Sequence, residues 1–148
     1  MNQLGTEGHY TVTPEMKAKM ADFCGGFATE AEDAAAIREL YDETGYVIDT
    51  HTGVASAVYQ QYKKNSGDET KTVIASTASP YKFSRSVMEA ISDEKLPEDE
   101  FAVIDELCRV SGVEIPKAVE EIRNAQIRHK LECDVQDMKK TVAKILGI

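Results

Sequence analysis

The chain has 148 residues, a length that fits one domain with a modest core, and its 42% hydrophobic content is ordinary for a folded protein. A formal net charge of -9 makes nucleic acid and anionic membranes poor partners through like-charge repulsion. No apolar stretch is long enough to span a bilayer and no secretion signal opens the sequence, so the expectation is a soluble, cytoplasmic protein. The three cysteines, Cys24, Cys108 and Cys133, are odd in number and lack a Cys-x-x-Cys pair, which suggests neither a disulfide framework nor a zinc site. Cys24 and Cys108 fall at apolar helix positions and read as small core residues.

Helix signals dominate from the start. Thr13-Pro14 sets a capping hydroxyl before a first-turn proline, Met16, Met20 and Phe23 recur on one face, and Gly25-Gly26 reads as the stop. Thr29 with Glu32 forms a capping box ahead of Ile37, Leu40 and Tyr41, and Gly45 ends that helix. After Tyr46-Val47-Ile48, Asp49 or Thr50 caps a helix with an expected buried stripe of Val54, Ala55, Val58, Tyr59 and Tyr62, closed at Gly67-Asp68. Thr72 to Ala75 is β-branched, apolar and short, and reads as a strand buried in a sheet.

Ser79-Pro80 repeats the cap-plus-proline start, with Phe83, Val87, Ala90 and Ile91 on one helical face. Further helices follow Pro97, with Phe101, Ile104, Leu107 and Cys108 before Gly112, and Pro116, with Val119 and Ile122. A last helix from about Asp134 carries Met138, Val142, Ile145 and Leu146. The expected architecture is a helix-rich α/β fold with about seven helices and one or two short strands, 1–148 forming a single domain without an internal boundary. A lone strand leaves its edges unsatisfied, so it would pair with Tyr46 to Ile48 or with a neighbouring molecule, and self-association through that edge follows as an expectation.

Three polar side chains stand at the junctions between these elements. Thr77 ends the expected strand, where its hydroxyl would ordinarily bind a nearby backbone group. Lys82 lies in a first helical turn, where a cation opposes the helix dipole; it reads either as a surface lysine with its stem over Phe83 or as an anion holder acting with helix amides. His51, at a helix start, is a local cap or a proton carrier. The short basic run Arg128-His129-Lys130 reads as a solvated turn. His9 and His129 carry no pattern, and no i to i+4 pairing of histidines points to a metal.

Asp49-Thr50-His51-Thr52 followed by Val54-Ala55, and the more specific Thr77-Ala78-Ser79-Pro80-Tyr81-Lys82-Phe83, resemble the C-terminal region of threonine synthase. Gly25-Gly26-Phe27-Ala28 and Arg128-His129-Lys130 add weaker likeness, while Thr50 stands where that family usually has proline. The resemblance implies a pyridoxal-phosphate enzyme of fold type II, with a three-layer domain, that converts O-phosphohomoserine and water to threonine and phosphate. It implies cofactor binding at Thr77, whose hydroxyl would meet the pyridine nitrogen, and substrate binding at Lys82 and His51. A hydroxyl does not keep the ring nitrogen protonated as a carboxylate would, so the ring becomes a weaker electron sink, suited to elimination and replacement at the side chain.

The family anchors its cofactor on a lysine in a Phe-Lys-Asp setting and holds the cofactor phosphate in a Gly/Asn-rich loop, both upstream. No lysine of this chain follows Phe and precedes Asp. The resemblance therefore implies the C-terminal portion of the enzyme, with no catalytic residue of its own and no activity in isolation. The alternative reading is an acidic helical protein-interaction domain without catalytic activity.

Overall fold

The computed structural model describes residues 2–148. Its elements are α1 (Asn2–Glu7), α2 (Pro14–Lys19), α3 (Glu30–Thr44), α4 (Thr50–Ser66), a 3-10 turn (Pro80–Phe83), α5 (Ser84–Ile91), α6 (Glu100–Ser111), α7 (Lys117–Arg123), a second 3-10 turn (Val135–Asp137) and α8 (Met138–Leu146). Among the described residues there is no strand and no sheet, which overturns the expected three-layer α/β domain. Thr72 to Ala75 runs without regular secondary structure, Val73 is 91% exposed, and no backbone hydrogen bond ties the segment to a neighbour among the described residues. The physical reason is that β-branched composition describes a fit to a pleated surface, and it creates no strand without a partner. Tyr46 to Ile48 supplies none, since Val47 and Ile48 turn inward and are buried.

The chain forms two compact units, one ending at Val113 and the other spanning Glu114–Ile148. In the first, α3 packs on α4 and α5, and α5 packs on α6. The core draws Ala36 and Ile37 from α3, Ala57 from α4, Val87, Met88, Ala90 and Ile91 from α5, and Val103, Ile104 and Leu107 from α6. Ile37, Val87, Met88, Val103 and Leu107 are fully buried, each stabilising the fold by about 1.5–3 kcal/mol through loss of apolar surface to water. Tyr81 enters this core from the 3-10 turn, its hydroxyl donating to the Val113 carbonyl. Burial, with the Cys108 thiol beside it, pushes the Tyr81 hydroxyl up to about 12.

Local chemistry sets the helix ends. Thr29 and Glu32 close the capping box at the start of α3: the Thr29 amide donates to Glu32 at 2.7 Å and the Glu32 amide returns to the Thr29 hydroxyl at 3.3 Å. Gly45, Gly67 and Gly112 stop α3, α4 and α6 in the left-handed conformation that a β-carbon disfavours. Thr13 caps α2 by accepting from the Met16 amide, but α2 stops at Lys19 with Met20 as its cap, well before Gly25-Gly26. Met16, Met20 and Phe23 are all exposed, so that face covers no core. Cys24 is exposed and Cys108 half-buried, which removes Cys24 from the expected core.

The second unit contains α7 and α8, and neither helix has a buried residue. Met138, Val142, Ile145 and Leu146 of α8 form the apolar side that the sequence pattern marks, and all four are exposed.

Candidate functional site at the start of helix α4

Asp49 organises the site. It caps α4, its side chain is 0% exposed, and each carboxylate oxygen receives two donors. Oδ2 accepts the His51 amide at 3.0 Å and faces His51 Nδ1 at 2.8 Å; Oδ1 accepts the Thr52 amide at 3.3 Å and the Thr52 hydroxyl. Burial pushes the Asp49 carboxyl up, but the four donors from Thr52 and His51 outweigh it and hold the group below the ordinary aspartate range. An isolated buried charge is costly, whereas this one is fully hydrogen-bonded at the positive end of a 17-residue helix.

A second carboxyl packs beside it from α3. Asp33 Oδ1 is buried without a hydrogen-bond partner among the described residues. Burial raises the Asp33 pKa first and the nearby Asp49 carboxylate raises it further, with His51 opposing. The close approach depends on Gly53: a β-carbon there would lie 2.0 Å from Asp33 Oδ1 and 2.8 Å from Ile37 Cγ1. Gly53 is thus the point at which α3 and α4 come together.

The hydroxyl network extends to the segment before the 3-10 turn. Thr52 Oγ1 lies 2.8 Å from Ser76 Oγ. A carboxylate only accepts, so the single Thr52 O–H donates to Asp49 and the Ser76 O–H donates to Thr52. Thr77 is exposed and its hydroxyl makes no hydrogen bond among the described residues. Ser79 caps the turn that follows by accepting from the Tyr81 amide at 3.3 Å.

His51 and Lys82 approach a common ring. The His51 and Phe83 rings are 5.7 Å apart between centroids, tilted by 31°, and Lys82 Nζ stands 5.7 Å from the Phe83 centroid, within cation–π range. Lys82 and Phe83 line a shallow groove of about 290 Å³ that also touches Arg85 and Glu100. Arg85 is engaged there, pairing with Glu100 at 2.6 Å and donating to the Pro97 and Glu98 carbonyls. A larger groove of about 460 Å³ runs past Glu30, Asp33, Thr50, Phe83 and Glu89. Its three carboxylates repel an anion, which leaves the Lys82 side of Phe83 as the place where a negative ligand would be favoured. Of the three, Lys82 lines the smaller of these grooves, His51 meets it at the Phe83 ring, and Thr77 follows Ser76, whose hydroxyl reaches Thr52.

The sequence pattern singled out Asp49, His51, Thr77 and Lys82, named Thr52 only as part of the Asp49-Thr50-His51-Thr52 motif, and did not mark Asp33, Gly53 or Ser76. A glycine at the fourth position of α4, away from the C-terminal stop at Gly67, was the available signal for Gly53, since glycine inside a helix costs about 1 kcal/mol and needs a packing reason. Nothing local marks Asp33, whose significance arises from α3 meeting α4.

Among the described residues no cluster of His, Cys, Asp or Glu has the arrangement of a metal site, and no helix is long and apolar enough to cross a membrane. The first unit is helical, and its polar groups gather around a buried carboxylate at the start of α4. Residues 52–142, more than half of the chain, match the family described as "Threonine synthase, C-terminal", and the chain belongs to that family. Thr77 and Lys82 fall within the matched span, while Asp49 and His51 lie immediately before it.

Curated relatives agree. The chain is 32% identical over 99 residues to "Threonine synthase-like 1" of Macaca fascicularis, covering 66% of this chain and 13% of that protein. It is 31% identical over 99 residues to "Threonine synthase-like 1" of Homo sapiens, covering 66% of this chain and 13% of that protein. It is 34% identical over 94 residues to "Threonine synthase" of Schizosaccharomyces pombe, covering 62% of this chain and 18% of that protein. The match thus spans less than a fifth of the length of these relatives. No solved structure matches.

Proposed function

We propose that this chain serves as the C-terminal portion of a threonine synthase, a pyridoxal-phosphate lyase of threonine biosynthesis that converts O-phosphohomoserine and water to threonine and phosphate. On this reading, 1–148 acts as one C-terminal part, is inactive alone, and meets the cofactor-anchoring lysine on separate polypeptide or preceding sequence. The cofactor, when bound, supplies the electron sink for elimination and replacement at the substrate side chain. The residues present are compatible with that role: Thr77 offers a hydroxyl to the pyridine nitrogen, and Lys82 and His51 offer a cation and an imidazole to the phosphate-bearing substrate.

The observation that carries the reading is the Thr77 hydroxyl, turned to solvent and without an internal partner beside Ser76, which is tied to Thr52. That arrangement disfavours the ordinary explanation of a hydroxyl bonded to local backbone. The test combines the chain with the preceding portion of a threonine synthase, containing the Phe-Lys-Asp lysine and the Gly/Asn-rich loop. Visible cofactor absorbance and phosphate release should appear in the combination and not with the chain alone. Thr77→Asp in the combined enzyme should shift the cofactor spectrum and depress turnover; an unchanged spectrum and rate would reject the assignment of Thr77.

The acidic interaction-domain reading draws support from one feature, the exposed apolar side of α8. It predicts that the chain binds a partner protein yet gives neither absorbance nor phosphate release in any combination.

A further inference from the structure

An N-cap carboxylate ordinarily accepts from one or two backbone amides of the first turn. Asp49 does this and also faces the His51 ring, with Nδ1 at 2.8 Å from Oδ2. The carboxylate is held ionised and has no proton to give, so the hydrogen in that contact belongs to Nδ1. In a neutral imidazole the other nitrogen then carries the lone pair. Nε2 makes no hydrogen bond among the described residues, and the His51 side chain is 52% exposed with its ring against Phe83. The charged neighbours are Asp33, from α3, and Lys82, across the Phe83 ring.

We propose that Asp49 is a positioning residue that keeps a proton on Nδ1 of His51, so that Nε2 is the atom offered, as a lone pair, to a hydroxyl or water at the substrate site. The role in substrate chemistry rests on the threonine synthase reading; the tautomer does not. The same carboxylate holds Thr52, and through it Ser76, so one buried group orients both the imidazole and the segment that carries Thr77.

The experiment is ring-nitrogen NMR of the intact 148-residue chain, with long-range proton–nitrogen correlation at a pH where His51 is neutral. The expected spectrum has a protonated Nδ1 and a lone-pair Nε2 for His51, whereas exposed His129, whose ring makes no hydrogen bond among the described residues, serves as the internal reference for an unconstrained ring. Asp49→Ser preserves a side-chain cap of equal rank but is too short to hold the ring. In that variant the Nδ1-protonated share should fall from nearly all to a minority while the helical circular dichroism is kept. Ser76→Ala, which leaves the Asp49–His51 pair intact, should retain the wild-type tautomer.

A wild-type spectrum with the proton on Nε2 overturns the proposal, and so does Asp49→Ser retaining the Nδ1 proton. Should Asp49→Ser fail to fold, the wild-type and Ser76→Ala spectra still decide. Loss of cofactor absorbance in the combined enzyme with the tautomer intact counts against the threonine synthase reading alone.

Discussion

Helices α5 and α8 are nearly the same length and both carry an apolar side, yet their fates differ. Five of the eight residues of α5 are buried, against none of the nine in α8. The difference comes from neighbours: α5 lies against α3, α6 and the 3-10 turn that precedes it, whereas α8 is engaged with its own leading turn. An amphipathic pattern therefore reports which side a helix will bury, and the existence of a surface to bury it against is a separate fact.

Substitutions can break this contrast. Leu107→Ala, opposite α5 in α6, should destabilise the first unit by about 2–5 kcal/mol, because truncating a fully buried leucine loses transfer energy and leaves a cavity; urea unfolding measures it. Ile145→Ala in α8 should change stability by no more than about 0.5 kcal/mol, as expected for an exposed position. A cost at Ile145 comparable to that at Leu107 would show that α8 is covered in solution.

The contact of α3 with α4 sharpens the comparison at a finer scale. Gly53→Ala places a methyl where Asp33 and Ile37 already stand and should cost about 1–3 kcal/mol, as overpacking does; a neutral result in thermal unfolding would mean that the helices separate without penalty.

Asp33→Asn should give the smaller effect, a gain of about 1 kcal/mol at neutral pH, because it removes the charge from a half-buried carboxylate whose Oδ1 has no hydrogen-bond partner among the described residues. The sign of its pH dependence follows from the raised pKa. The native state binds the Asp33 proton more tightly than the unfolded chain, so wild-type stability from this residue rises as pH falls through the folded value. The advantage of the asparagine variant should therefore shrink on mild acidification. Asp49 acts oppositely: its contribution is present above the unfolded-chain value, about 3.9, and is lost as pH falls through its lowered folded value. Urea midpoints of the two proteins at several pH values separate these opposing trends.

Helix termini were legible in the sequence because their chemistry is local. Thr29 with Glu32, Asp49, Gly45, Gly67 and Gly112 act where the pattern places them. The buried side of α4 was not legible. The expected stripe of Val54, Ala55, Val58, Tyr59 and Tyr62 leaves Val54 and Tyr62 exposed, while Thr52, Gly53 and Ala57 are buried. The cause is tertiary: α3 comes against the side of α4 that carries Gly53, and a polar network needs Thr52 inside. The strand expected at Thr72 to Ala75 failed for a related reason, since sheet formation depends on a second backbone that local composition does not specify. At the site, Asp49 was readable as a cap, but its grip on the His51 ring depends on side-chain geometry that spacing leaves open.

The distribution of the sulfhydryls has a practical consequence. Cys24 and Cys133 are open to reagent, while Cys108 sits half-buried in α6 next to Tyr81. Alkylation followed by mass spectrometry should therefore modify the first two at once and the third only as α6 loosens. The protein thus carries a built-in clock for the breathing of its own interior, readable without introducing any label.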